Sequence, residues 1–355
     1  MFSHFVINVL RCFNPALSLF LADLLNLFMR PFSFIILLAI LGLVLIVSSL
    51  FIGSVPLSLQ TVWLSLIDIS SPGAHGASLI VTELRLPRTL AAFATGALLA
   101  QAGALMQVLV RNPLADPYIL GVSGGAATAV LIGMLLGLTS AFGLTGLAFV
   151  GAMIAMFLVF IIAHQNGNWT PTRLLLTGVV IAAGWGAAIS LILALAPANN
   201  LHGMLFWLMG DLSYSYSVSF AFSALIIGLI LSMLLSSQLN VLIRGDKLAA
   251  TLGINLKQLH IKIYILASLL TAAAVVQAGS IGFVGFIVPH LIRLTGITDH
   301  RFLLPAATLG GGILVLVADT AARTAIAPQQ LPVGIITALI GIPLFLFLLQ
   351  RDAKQ

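Results

Sequence analysis

The sequence predicts an all-α polytopic membrane protein with about ten transmembrane helices, and three observations carry that prediction. Apolar residues make up 61% of the 355-residue chain and charged residues only 7%, against roughly 25% charged in soluble domains. The apolar residues gather in runs close to the ~20 residues that a spanning helix requires. The basic residues concentrate in alternate connections between those runs. With 15 basic and 9 acidic side chains, the chain cannot cover two or three soluble domains with polar surface. Its single cysteine, Cys12, excludes a disulfide framework and a Cys-based metal site.

Residues 1–30 are apolar but broken by Asn8, Arg11, Asn14, Pro15 and Asp23. Two readings of this extension stand. It is an interfacial helix, or it lies upstream of the true start, because Met29 and Arg30 directly precede a clean span. No small-residue cleavage site follows a compact apolar core, as a signal peptide would need. Residues 31–355 then form one transmembrane domain. Polar punctuation bounds spans near 33–53, 89–110, 119–137, 142–163, 173–196, 218–236, 261–279, 281–295, 303–322 and 332–350. The span at 281–295 reaches only about 22 Å. It is expected inside the bundle, beside non-helical backbone shielded by other helices, with Gly-Ser-Ile-Gly at 279–282 as the reversal before it. The 32 glycines suit close helix packing in lipid. The longest polar interruptions are 54–88, with a turn at Ser70-Ser71-Pro72-Gly73, 197–217 and 237–260. None separates two domains.

With both termini inside, twelve of the fifteen basic residues face one side, which supports the span count and the orientation. The net charge of +6 is therefore a membrane signal rather than a nucleic-acid one. Arg85, Arg88 and Arg323 oppose the bias. Arg85 and Arg88 flank Pro87 at the start of the second span, where Pro suits a first helical turn but a cation works against the helix dipole. Three readings stand for these arginines. They snorkel to lipid phosphates. Arg323 pairs with Asp319, four residues earlier in the favourable order. Or the three form an outward cationic patch that docks an acidic partner.

Catalytic motifs are absent. A P-loop requires Lys followed by Ser or Thr, and the four lysines precede Leu248, Gln258, Ile263 and Gln355. Neither H-E-x-x-H nor a nucleophile elbow is present. His290, after Pro289 in an apolar run, is an intramembrane ligand or proton carrier or, as favoured, a packed histidine. His202 lies in the outer polar stretch, within reach of cargo. Asp116 sits in the inside turn 112–117. The scarcity of mid-span carboxylates argues against ion-coupled transport and against a charged channel filter. In the cationic segment 244–264, Ala249, Ala250 and Leu252 suit a short helix, Gly253 ends it and Asn255 caps the next. This reads as a compact protrusion, or as a basic loop against anionic headgroups.

Over about residues 80–350 the chain resembles the FecCD-type permeases of ABC importers, the carriers of ferric siderophores, heme and cobalamin. The resemblance rests on Arg85-Leu86-Pro87-Arg88-Thr89-Leu90, Gly103-Ala104-Leu105-Met106-Gln107, the run Arg111 to Pro117, and Gly121-Val122-Ser123-Gly124-Gly125-Ala126. In the second half it rests on the run Gly282 to Arg293, the run Asp299 to Pro305, and Leu331 to Thr337. It implies a type II ABC importer architecture of ten helices per subunit in a prokaryotic inner membrane. The partners implied are a second permease subunit, a homodimer by preference, two cytoplasmic ATP-binding subunits that carry ATP and Mg, and a soluble binding protein. The chain itself holds no cofactor and is not an enzyme. The docking arginines of the family fall on Arg85, Arg88 and Arg323. The ATPase-coupling loop falls on 244–260, with Asp246, Ala249, Ala250 and Gly253. The cytoplasmic gate falls on Thr170, Pro171 and Thr172, where Pro171 departs from the hydroxyl residue of the cobalamin-importing members. The family's breadth ranks ferric siderophore first as cargo, then cobalamin, then heme. An ion-coupled secondary transporter or a channel is the alternative.

Overall fold

The computed structural model describes residues 31–55, 57–67, 76–164, 170–213 and 218–352. The extension at 1–30 and the turn at 70–73 lie outside them. Among the described residues every regular element is helical. The first are α1 (Pro31–Phe51) and the short α2 (Leu59–Ile67). A turn at Gly76–Leu79 and a π-helical turn at Ile80–Arg85 lead into α3 (Leu86–Val110). Then come α4 (Val122–Leu135), α5 (Ala141–His164) and α6 (Pro171–Leu195). The next are α7 (Ala198–Leu208), α8 (Val218–Leu242), α9 (Asp246–Thr251) and α10 (Leu256–Ala278). The chain closes with α11 (Val284–Leu294), α12 (His300–Thr324) and α13 (Val333–Asp352). Among the described residues seven helices, α3 counted with its lead-in, are long and apolar enough to cross a membrane, and α4, α11 and α13 are shorter apolar helices. Each of the ten expected segments holds an apolar helix, seven of them of spanning length.

The centre of the bundle is α3, which packs against α8, α10, α11 and α12. Its sequence explains why. Small residues fill it from Ala91 to Ala104, and nearly every side chain over that length is buried. A Cβ at Gly96 would collide with the Gly311 carbonyl of α12, and one at Gly103 with the backbone of Gly285 in α11. Backbones that approach this closely gain van der Waals contact that lipid cannot replace. By contrast α6 buries only Leu174, Gly178 and Ile192, leaving a broad apolar face.

As expected, α11 is too short to span, about 16 Å. The chain between α10 and α11 is non-helical from Gly279, at φ 66°. Other elements satisfy its polar groups, as a hydrocarbon environment demands. The Ile281 N–H donates to the Tyr118 hydroxyl at 3.0 Å, and the Ser123 and Ser280 hydroxyls meet at 2.7 Å. At the start of α13, the Val333 and Gly334 N–H groups donate to the Gly210 and Met209 carbonyls at 2.9 and 3.0 Å.

The structure departs from the sequence reading in its connections. The interruption at 197–217 holds α7, started by Pro197 and anchored by the buried Met204 against Ala127 and Leu131 of α4. The interruption at 54–88 holds α2 and the helical lead-in to α3. Helix α8 runs to Leu242, past the expected end at 236.

Candidate functional site: the two ends of α3

At one end of α3 the three anomalous arginines come together. Arg85 is buried, and its guanidinium donates to the Leu50 carbonyl at 2.7 Å and to the Val55 carbonyl. It closes the C-terminus of α1, where the last carbonyls lack intrahelical partners. Arg88 pairs through Nε with Asp319 Oδ1 at 2.9 Å, and its NH1 donates to Gln330 Oε1 at 2.6 Å and Ser213 Oγ at 3.2 Å. Arg323 pairs through Nε with the other oxygen of Asp319, also at 2.9 Å. Asp319 has no solvent exposure. One buried carboxylate thus bridges two guanidiniums from α3 and α12.

The Asp319–Arg323 pair is the i,i+4 pair that its spacing in the sequence allows. Nothing in the local sequence could join Arg88 to Asp319, 231 residues away. The arginines also differ in kind. Arg85 is committed to backbone carbonyls, whereas Arg88 and Arg323 share an acid. All three line a cavity of about 210 Å³ with Gln330 and residues 53–55. With three cations and one anion, the cluster keeps a net positive charge.

At the other end of α3 lies the 244–260 segment. Helix α9 closes in a Schellman arrangement, with the Gly253 N–H on the Ala250 carbonyl and the Ile254 N–H on the Ala249 carbonyl, both at 3.0 Å. That ending places its C′ residue in the left-handed region, and Gly253 has φ 79°. Asn255 Oδ1 then accepts from the Gln258 N–H at 3.1 Å and caps α10. The glycine corner and the cap stand as the sequence indicated. Of the coupling residues named above, Ala250 and Gly253 are exposed, while Ala249 is buried. Asp246 turns inward to an ion pair with Arg111, and His260 Nε2 stands 3.7 Å from its Oδ1. The exposed apolar residues of the protrusion are Leu248 at 43% and Leu252 at 62%. One helical turn apart, they share a face that the sequence reading did not single out.

The gate residues open α6. Thr170 Oγ1 accepts from the Arg173 N–H at 3.3 Å and Pro171 is the first helical residue, an N-cap followed by a proline suited to that position. Thr170 and Thr172 are exposed. His290 is buried in α11, and His202 lies exposed on α7 beside Phe206, ring centroids 4.4 Å apart.

Around α12, Asn240 of α8 was also missed. Its Nδ2 donates to Asp299 Oδ1 at 2.6 Å and its Oδ1 accepts from the His300 N–H at 2.8 Å. Burial pushes the Asp299 carboxyl up, but the Arg301 N–H, the Asn240 amide and the nearby positive charge outweigh it and hold it below its usual range. In the 112–117 turn, burial pushes Asp116 up to about 6 against the pull of the Tyr118 N–H.

The chain as a whole is similar to known proteins. The Hemin transport system permease protein HmuU of Yersinia pestis is 40% identical over 325 residues, 90% of this chain and 95% of that protein. The Cobalamin import system permease protein BtuC of Halobacterium salinarum is 43% identical over 281 residues, 78% of this chain and 75% of that one. A metal-chelate type ABC transporter solved in an inward-facing conformation superposes with a TM-score of 0.77 at 31% identity, covering 90% of this chain and 99% of that one. Residues 38–351 match the FecCD transport family, and the chain belongs to that family of ABC transporter permeases.

Proposed function

We propose that this chain is the membrane-spanning subunit of an ATP-driven importer of a metal chelate in a prokaryotic inner membrane. The observation that carries this reading is the match to a hemin permease across nearly the full length of both chains. Family breadth alone puts ferric siderophore first. The names of the relatives support the macrocyclic chelates, hemin and cobalamin, so those lead the cargo test. The chain supplies the path and performs no bond chemistry.

Two copies form the pathway, and the open apolar face of α6 supports a partner there. The gate at Thr170, Pro171 and Thr172 then lies at the inner end of that path. Two ATP-binding subunits carry ATP and Mg and engage the protrusion around α9, with Leu248 and Leu252 as apolar contacts beside Ala250 and Gly253. A loaded binding protein docks at the opposite face. Arg88 and Arg323 offer it cationic groups that share a single acid, and Arg85 adds its charge while holding α1. An incoming carboxylate would offset part of the positive charge that Asp319 leaves on the cluster. Both termini lie on the cytoplasmic side, as the basic-residue bias favours.

The test is uptake in proteoliposomes that hold the permease with its ATP-binding subunit. Binding proteins loaded with hemin, cobalamin or a ferric siderophore are added outside, with and without ATP inside. ATP-dependent accumulation of one cargo is the expected result. Uptake that ignores the ATP-binding subunit and collapses with an uncoupler would replace the reading by ion-coupled transport.

A further inference from the structure

The two ends of α3 carry the same kind of device, a charged residue fastened to a separate element. At the face of the arginine cluster, Arg88 is tied to Asp319 of α12. At the opposite face, Arg111 follows Val110, the last residue of α3, and its guanidinium pairs with Asp246, the first residue of α9. The buried His260 of α10 stands against the same carboxylate at 3.7 Å. Helix α9 is only six residues long and otherwise rests on α8 and α10.

Arg111 has a second unusual property. It occupies the left-handed region at φ 53° and ψ 37°, one of two non-glycine residues with positive φ among the described residues. Glycine holds that conformation freely, whereas a side chain there costs about 1–2 kcal/mol. The ion pair is about one-third exposed on both sides, and such a pair returns at most ~1 kcal/mol. Folding stability alone would place glycine at this position. The arginine side chain therefore has another use.

We propose that Arg111 is a positioning residue of the transport cycle. Through Asp246 it fastens α9 to α3, and α3 acts as a rod between α9 and the Arg88–Asp319–Arg323 cluster. The rod is stiff for a stated reason: its glycine contacts with α11 and α12 leave no slack for independent sliding. About 35 Å separates Arg88 from Arg111 along the axis, so a displacement of α9 is delivered to the opposite face of the membrane. This rests on the reading that α9 meets the ATP-binding subunit.

The test uses the whole complex with its ATP-binding subunit in lipid nanodiscs, in a Cys12→Ser background with Leu205→Cys. Leu205 is exposed on α7, at the face of the arginine cluster. The readout is the rate of maleimide labelling with and without ATP and vanadate, which needs no cargo. The expected result is a several-fold ATP-dependent change in the parent that Arg111→Gly abolishes. That variant should melt no lower than the parent, because it relieves the left-handed residue. The exchange Arg111→Asp with Asp246→Arg should restore the response. A full response in Arg111→Gly would overturn the proposal, and so would a loss that the exchange fails to restore. A parent that shows no ATP response while its ATP-binding subunit co-purifies would instead overturn the ATP-coupled reading beneath it.

Discussion

Replacing Gly253 isolates one physical term, because the structure leaves only one for it to act through. The residue ends α9 at φ 79°, and a Cβ built on it meets no heavy atom within 4 Å. A substitution there is penalised by backbone conformation and not by crowding. Alanine should cost about 1–2 kcal/mol. Asparagine should cost less, because its short polar side chain tolerates the left-handed region. Valine should cost most, since a β-branched residue at positive φ is a genuine outlier. A local cost of one to two kcal/mol changes the ratio of formed to opened corner by roughly 5–30-fold. Opening it releases the Ala249 and Ala250 carbonyls and lets α9 rotate away from its seat. The assay is cargo accumulated per ATP hydrolysed in proteoliposomes. Coupling should fall in the order glycine, asparagine, alanine, valine, although asparagine is larger than alanine. An order that followed side-chain size would refute the conformational argument. Unchanged coupling in Gly253→Val would remove the corner from the mechanism altogether.

Three further outcomes are expected. Arg88→Glu with Arg323→Glu should weaken binding-protein docking, read by surface plasmon resonance on nanodiscs, with the difference from the parent largest at low salt; equal affinity at low salt would reject the patch. Asp319→Asn should destabilise the protein by about 3–5 kcal/mol, because it strands two guanidiniums that share one buried acid; adding Arg323→Met should recover part of the loss in a detergent melt, and a single mutant that melts like the parent would contradict the bridge. For Asp116 the folded carboxyl is raised to about 6, so its neutral form is favoured on folding. Its contribution is intact below the ordinary carboxylate range and is lost as pH rises through about 6. Asp116→Asn should therefore be the more stable protein at pH 7.5 by about 1–3 kcal/mol, with the gap closing near pH 4; a gap independent of pH would reject the burial argument.

The spans were legible in the sequence because lipid imposes a length and a composition on each. The glycine corner at 253 and the Asn255 cap were legible because helix endings are local chemistry. The α7 helix was not, since His202, Asn199 and Asn200 make its stretch polar and only burial of Met204 against α4 reveals its packing. The arginine cluster was half legible. The sidedness of charge marked Arg85, Arg88 and Arg323, and i,i+4 spacing marked Asp319 with Arg323. No local rule distinguishes an arginine that closes a helix end, as Arg85 does, from one that reaches across to another helix, as Arg88 does. The pairing of Arg111 with Asp246 escaped for the same reason, since both halves belong to different loops.

Arg85 and Arg88 show how one violation of the charge bias resolves into two bonding arrangements. Both sit where the dipole of α3 disfavours a cation, so each needs a local acceptor. Arg85 takes the Leu50 carbonyl at the C-terminal end of α1, which carries the opposite dipole end, and the nearby Val55 carbonyl. That arrangement leaves no room for anything larger at Gly53, where a Cβ would stand 2.7 Å from its NH2. Arg88 takes Asp319, but Asp319 is already divided with Arg323. One carboxylate cannot neutralise two guanidiniums, so the cluster retains attraction for a further anion even though it is ordered without one. A fully neutralised cluster would be a structural bolt, and an unpaired one would be too costly to keep buried. On the docking reading proposed above, the shared acid places the cluster between these limits: ordered in the absence of a partner and still able to attract an acidic one.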